Sequence, residues 1–146
     1  MPPDSRLAHH DLCFGCGQAN LFGLQLDVEA SPRGGVEGRF FVKQDHQGPP
    51  GYAHGGVLAA ALDEAMALLL YGEDSFAVTR RLEVDLLAPA PAGTFVRVQA
   101  ELLESEGRTL RLRASASSED GRELAAARGV FVRADRPEAG TRTSTR

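Results

Sequence analysis

The chain has 146 residues, enough for one domain with a substantial core and too few for two. Hydrophobic residues make up 42% and charged residues 25%, a balance that excludes disorder along the whole length. With 16 Lys and Arg against 20 Asp and Glu the formal net charge is −4, so no basic field attracts a nucleic-acid backbone and nucleic acid is not an expected partner.

In chain order, MPPDSRLAHHDL lacks the basic start and apolar run of a secretory signal, and nowhere do about 18 apolar residues follow one another. The expectation is a soluble, cytoplasmic protein with no membrane partner, in which Cys13 and Cys16, the two cysteines, stay as thiols. Residues 1–20 read as an irregular arm with Pro2, Pro3 and the glycine-rich turn CFGCG. LQLDVE, Leu24 to Glu29, alternates apolar and polar residues, and after SPRGG the run VEGRFFV, Val36 to Val42, is rich in strand formers. Two strands joined by a Gly-Gly turn are expected. KQDHQGPPGYA is punctuated by Pro49, Pro50 and two glycines and reads as loop.

A helix follows, starting near Gly55. From Val57 to Leu70 every residue except Asp63 and Glu64 is apolar, so the helix has no wide polar face and belongs inside the fold. Tyr71-Gly72 reads as its stop. FAVTRRLEVDLLAP, TFVRVQAELLES, RTLRLRASASS and RELAAARGVFVRA come next, separated by Pro-Ala-Pro-Ala-Gly, Glu-Gly and Glu-Asp-Gly, and read as four antiparallel strands. Two strands, one helix and four strands predict an α+β domain over residues 21–134, a curved antiparallel sheet of five to six strands around one central helix. Such a sheet leaves an open edge and an uncovered helix flank, which pairing with a second copy would bury. The tail 135–146, with RPEAGTRTSTR, has the composition of a disordered end.

A carboxylate in an apolar helix has to reach water, a partner or a working site, because burying it alone is costly. Asp63 and Glu64 point in different directions, being about 100° apart round the helix, so no more than one faces a given pocket. On pattern alone, a wet helix edge or a dimer seam explains both as well as function does. His54-Gly55-Gly56 shifts that balance. A helix start offers free N–H groups and the positive end of the helix dipole, and glycine lets a ligand approach the backbone, which together make a carbonyl or oxyanion site. Gly55 and Asp63 lie eight positions apart, about 12 Å along one helix at ~1.5 Å per residue. Groups serving one carbonyl must lie within roughly 3 Å of their partners, so if both act on one substrate they come from different chains.

HGGVLAAALDEAMA, His54 to Ala67, has a His-Gly-Gly with an Asp nine residues after the His; VTRRLEVDLLAPAPAG, Val78 to Gly93, has an early hydroxyl and a late Pro-x-x-x-Gly turn. In these features the chain resembles the hotdog-fold acyl-CoA thioesterases of the phenylacetate-pathway type, over about residues 20–134. The resemblance implies a thioester hydrolase without a cofactor, acting on acyl-CoA as a homodimer or homotetramer. It implies that Gly55 N–H polarises the thioester carbonyl and that Asp63 of the second chain is general base or nucleophile. Thr79 would orient the water or the carboxylate, and His54 would shape the helix start. The family often has an Asn six residues before the His; Gly48 stands there, and the neighbouring Gln47 would supply its amide instead. Gly56 falls at the substrate, and Arg80, Arg81 and Arg108 are cations for the phosphates of coenzyme A, although each also fits a solvated strand-edge arginine. Leu58, Ala59, Ala60, Ala61, Met66 and Phe76 are candidates for an acyl pocket.

Two other functions fit the same pattern. A hotdog dehydratase or hydratase would use a loop His and an acid nearer the helix start, which the seven-residue step from Gly56 to Asp63 disfavours. A non-catalytic acyl-CoA binding module would need the glycines but not Asp63. His9, His10, Cys13 and Cys16 fall within eight residues and carry zinc-ligand chemistry. A single Cys-x-x-Cys is a weak signal, however, and four ligands from so short a segment would be strained. The expectation is a metal-free element covering the helix or pocket, as the resemblance of CFGCGQANLFGL to the arm of some relatives also implies. His46 has no expected role.

Overall fold

In the computed structural model the chain after the helix forms four strands, separated where the sequence places Pro-Ala-Pro-Ala-Gly, Glu-Gly and Glu-Asp-Gly. Residues 5–73 and 75–135 are described; apart from Asp135, the expected tail lies outside the described residues. The elements are β1 (Arg6–Leu7), β2 (Asp27–Ala30), β3 (Val36–Phe41), α1 (Gly55–Gly72), β4 (Ala77–Leu86), β5 (Phe95–Glu106), β6 (Thr109–Ser118) and β7 (Glu123–Arg133). One sheet runs in the order β1-β2-β3-β5-β6-β7-β4, every neighbouring pair antiparallel. A 3-10 turn at Gln44–His46 lies within the expected loop.

Seven strands replace the expected five to six, because a two-residue piece of the arm pairs with β2. So short a strand shows no alternation in sequence. The expected strand at Leu24 also starts late, at Asp27. Gln25 has a φ of 50°, which breaks extended backbone, and the Leu24 and Leu26 N–H groups donate to the carbonyls of Phe14 and Gly15 in the arm, both at 2.9 Å.

α1 is rich in Ala and Leu, both strong helix formers, and the sheet supplies the apolar surface it needs. Leu58, Ala61, Leu62, Ala65, Met66, Leu68, Leu69 and Leu70 are its buried residues. Val96, Val98, Leu110, Leu112, Ala116 and Phe131 are buried with them in one core. The helix is long and apolar enough to cross a membrane by length and composition, with a mean hydropathy of 1.4, and half of it is buried within the fold. Leu58, Ala61 and Met66 are part of this core. Among the described residues β4, at the end of the sheet, has β7 as its one strand neighbour; it carries exposed Val78 and Leu86, 49% and 56% accessible.

Candidate active site

α1 starts at His54, whose backbone is extended and whose ring turns back on the first turn. Gly56 N–H donates to His54 Nδ1 at 2.9 Å, which places the proton of the neutral ring on Nε2. Val57 N–H donates to the His54 carbonyl oxygen at 2.9 Å. Among the described residues, Gly55 N–H has no hydrogen-bond partner. It is a free donor at the positive end of the helix. A Cβ on Gly55 would stand 2.6 Å from Leu86 Cδ1, the end of an exposed side chain on β4.

Asp63 is half-buried and turned toward β4, where Thr79 Oγ1 donates to its Oδ1 at 2.6 Å. Burial pushes the Asp63 carboxyl above the ordinary aspartate range; the Thr79 hydrogen bond opposes this, and the charge of Glu64 adds to it. Thr79 stands at a bulge, where the ladder to β7 slips between Thr79 and Arg81. Such a bulge re-aims a side chain, here leaving Arg80 as the extra residue.

Glu64, one step round the helix, faces the N-terminal arm instead. Its Oε2 lies 2.9 Å from His9 Nδ1 and 3.4 Å from Cys13 Sγ. Burial pushes its carboxyl up, but the contacts with His9, Cys16 and Cys13 outweigh burial and hold it below the usual range. Burial pulls His9 down, and Glu64 and Cys13 more than offset that. The Cys16 thiol is raised, first by burial and then by Glu64. A Cβ on Gly15 would fall 2.4 Å from Glu64 Cδ, so the first glycine of CFGCG is what lets the helix carboxylate reach the arm.

The other expected residues fall into place around these. Gln47 uses its amide nitrogen on the carbonyl oxygen and Oε1 of Gln44, at 2.9 and 2.8 Å, and its own Oε1 accepts from Gly51 N–H at 2.6 Å. Both amide hydrogens are spent on the loop, leaving none for a carbonyl. Gly56 is exposed, but its N–H is held by His54. Arg81 lies 3.2 Å from Glu83 and Arg108 donates to the Arg133 carbonyl oxygen at 2.8 Å. Arg80 is exposed and has no hydrogen bond or ion pair among the described residues. His46, which has no sequence signal beyond its type, is buried and fully used: Nδ1 accepts from Lys43 N–H at 3.0 Å and Nε2 lies 3.2 Å from the Gly23 carbonyl oxygen. It ties the loop before the helix to Gly23, between the arm and β2. A concavity lined by Leu69, Glu83, Asp85, Glu101 and Ala126 includes none of Gly55, Asp63 and Thr79.

A single helix within a curved antiparallel sheet, with a free N–H at the helix start and a carboxylate at mid-helix, defines the hotdog arrangement. Residues 50–125, just over half of the chain, match the thioesterase superfamily, and the chain belongs to that family. It is 31% identical over 90 residues to acyl-coenzyme A thioesterase THEM4 of Rattus norvegicus, a match covering 61% of this chain and 39% of the rat protein. The chain thus spans about two fifths of that relative. Among solved structures it is similar to a phenylacetic acid degradation-related protein of Ralstonia eutropha, at a TM-score of 0.67 and 25% identity, over 75% of this chain and 85% of that one. A hypothetical thioesterase of Streptococcus pneumoniae, crystallised with coenzyme A, shares the fold at a TM-score of 0.71 and 18% identity, over 77% of this chain and 91% of that one. The family and fold that the helix and its following strand led us to expect are therefore the right ones.

Proposed function

We propose that the protein hydrolyses an acyl-CoA to the free acid and coenzyme A, in a site that two protomers share. The observation that carries this reading is Asp63, a half-buried carboxylate oriented by Thr79 at 2.6 Å on an open sheet edge. One Asp63 oxygen takes the Thr79 hydrogen bond, and the other is left to accept a proton from water. Gly55 N–H supplies the donor for the carbonyl oxygen, where negative charge develops as water adds. Water oxygen bonds to the carbonyl carbon, Asp63 takes the proton, the carbon–sulfur bond breaks, and the proton passes to the departing thiolate.

Both groups belong to α1, about 12 Å apart at ~1.5 Å per residue, too far to meet at one carbonyl. The reading therefore joins Gly55 of one protomer to Asp63 and Thr79 of the partner subunit. The β4 edge, unpaired among the described residues and carrying exposed Val78 and Leu86, supports a dimer. Arg80, exposed and without a side-chain partner among the described residues, is the cation for the phosphates of coenzyme A. The rat relative's name and the coenzyme A in the pneumococcal structure support the ligand class. Free Cys13 and Cys16 suit a reducing cytoplasm.

The test is thiol release from short, medium, long and aryl acyl-CoAs. At least one class is expected to turn over, with Asp63→Asn lowering the rate by about 100-fold or more, the scale of a lost acid–base group. No turnover of any class by the folded wild-type chain rejects the proposal; coenzyme A binding without turnover leaves the binding module in its place.

A further inference from the structure

The arm that covers α1 contributes more than apolar contacts. His9 Nδ1, Cys13 Sγ, Cys16 Sγ and a Glu64 carboxylate oxygen all lie within 4.8 Å of one another. We propose that these four residues form a structural zinc site that fastens the N-terminal arm to α1, one residue from Asp63.

Tetrahedral zinc with sulfur at about 2.3 Å and nitrogen or oxygen at about 2.0 Å has ligand-to-ligand edges of roughly 3.3 to 3.8 Å. His9 Nδ1 lies 3.8 Å from Cys13 Sγ and 3.6 Å from Cys16 Sγ, and Cys13 Sγ lies 3.4 Å from Glu64 Oε2. The His9–Glu64 edge, at 2.9 Å, has to open by about half an ångström to meet the tetrahedral value. The three edges that involve a sulfur, at 3.4, 3.6 and 3.8 Å, fall within the tetrahedral range. The donor set of one imidazole, two sulfurs and one carboxylate suits zinc and fills all four positions, as in a structural rather than a catalytic site.

The surroundings support the sulfurs and the charge. His9 N–H donates to Cys16 Sγ at 3.1 Å, the outer-shell contact that orients a ligand. Cys16 is fully buried, and the side chains of His9 and Glu64 are 23% and 12% accessible. Zinc with two thiolates and one carboxylate leaves a net charge of −1, and Arg6 bonds the Cys16 carbonyl oxygen beside it. Gly15 is the residue that lets Glu64 into this shell. The expectation of a metal-free arm considered ligands from the arm alone; the fourth comes from 55 positions away.

The experiment uses the full-length untagged chain, with zinc measured by elemental mass spectrometry and cobalt(II) as a spectroscopic probe. About one zinc per chain is expected after dialysis, and cobalt should show tetrahedral visible bands with thiolate charge transfer in the near ultraviolet. Cys13→Ser and Glu64→Ala, each checked for folding by circular dichroism, should weaken zinc binding by about 10-fold to 100-fold or more. A wild-type chain that takes up neither metal, or unchanged affinity in either folded variant, overturns the site. Should a variant fail to fold, the wild-type thiols decide. A disulfide-exchange reagent should modify both cysteines much faster after chelation than with zinc present; equal rates overturn the site. None of these readouts depends on thioesterase activity.

Discussion

At the residue scale, two adjacent carboxylates have separate surroundings because a helix turns them about 100° apart. Asp63 meets a hydroxyl at the sheet edge and Glu64 meets a histidine and two thiols. Thr79 holds Asp63 through one charge-assisted hydrogen bond, so Thr79→Ala should lower kcat by about tenfold with little change in KM, and Thr79→Ser should retain most of the rate. An equal loss in both variants would show that the hydroxyl is not what orients the carboxylate. Asp63 is also a half-buried charge maintained at some cost in stability. Asp63→Asn should therefore melt above the wild type while losing turnover; a lower melting temperature would mean that the carboxylate helps to hold the fold.

At the element scale, the apolar run and the His-Gly-Gly start made α1 legible in the sequence, and the helix, Gly55–Gly72, lies where those signals fall. The arm was not legible in the same way. β1 is two residues long, and Gln25 interrupts the strand pattern with a backbone angle that residue type does not reveal. The contact between the two elements depends on Gly15, which faces Glu64 at a distance no side chain can share. Gly15→Ala should cost about 1–3 kcal/mol through overpacking, a fall in melting temperature of roughly 2–12 °C. In a Glu64→Ala background the same substitution should cost much less, with a coupling of about 0.5 kcal/mol or more in a double-mutant cycle. Additive effects would show that Gly15 is constrained by something other than Glu64.

At the scale of the whole molecule, the Gly55 donor and the oriented Asp63 lie on one helix and cannot meet, so the proposed site requires two chains. Asp63→Asn and Gly55→Pro are each expected to be inactive alone. Proline suits the first helical position while removing the donor, so both proteins should keep their helix signal in circular dichroism. Mixed under subunit exchange, half of the dimers carry one intact site and one doubly defective site. Activity should then recover to about a quarter of the wild type. Folded, exchanging variants that recover nothing would place the working carboxylate in the same chain as the glycine, with Glu37 and Glu83 the residues to examine. A fully active monomer of 15.6 kDa in sedimentation would remove the shared site altogether.

The sequence by itself determined the order of elements after the arm, the burial of the helix and the divergence of its two carboxylates. All three follow from local periodicity: residues two apart share a strand face, and those three or four apart share a helix face. The family was legible for a similar reason, since its motif occupies one continuous helix and the strand after it. Only the tertiary structure decided which carboxylate meets Thr79, that Gln47 spends its amide on its own loop, and that Glu64 joins His9, Cys13 and Cys16. Those outcomes depend on chain reversals that bring residues 16 and 55 positions apart within 3 Å. Local pattern carries no information about such closures, because they are selected by how the arm, the helix and the sheet bury their surfaces together.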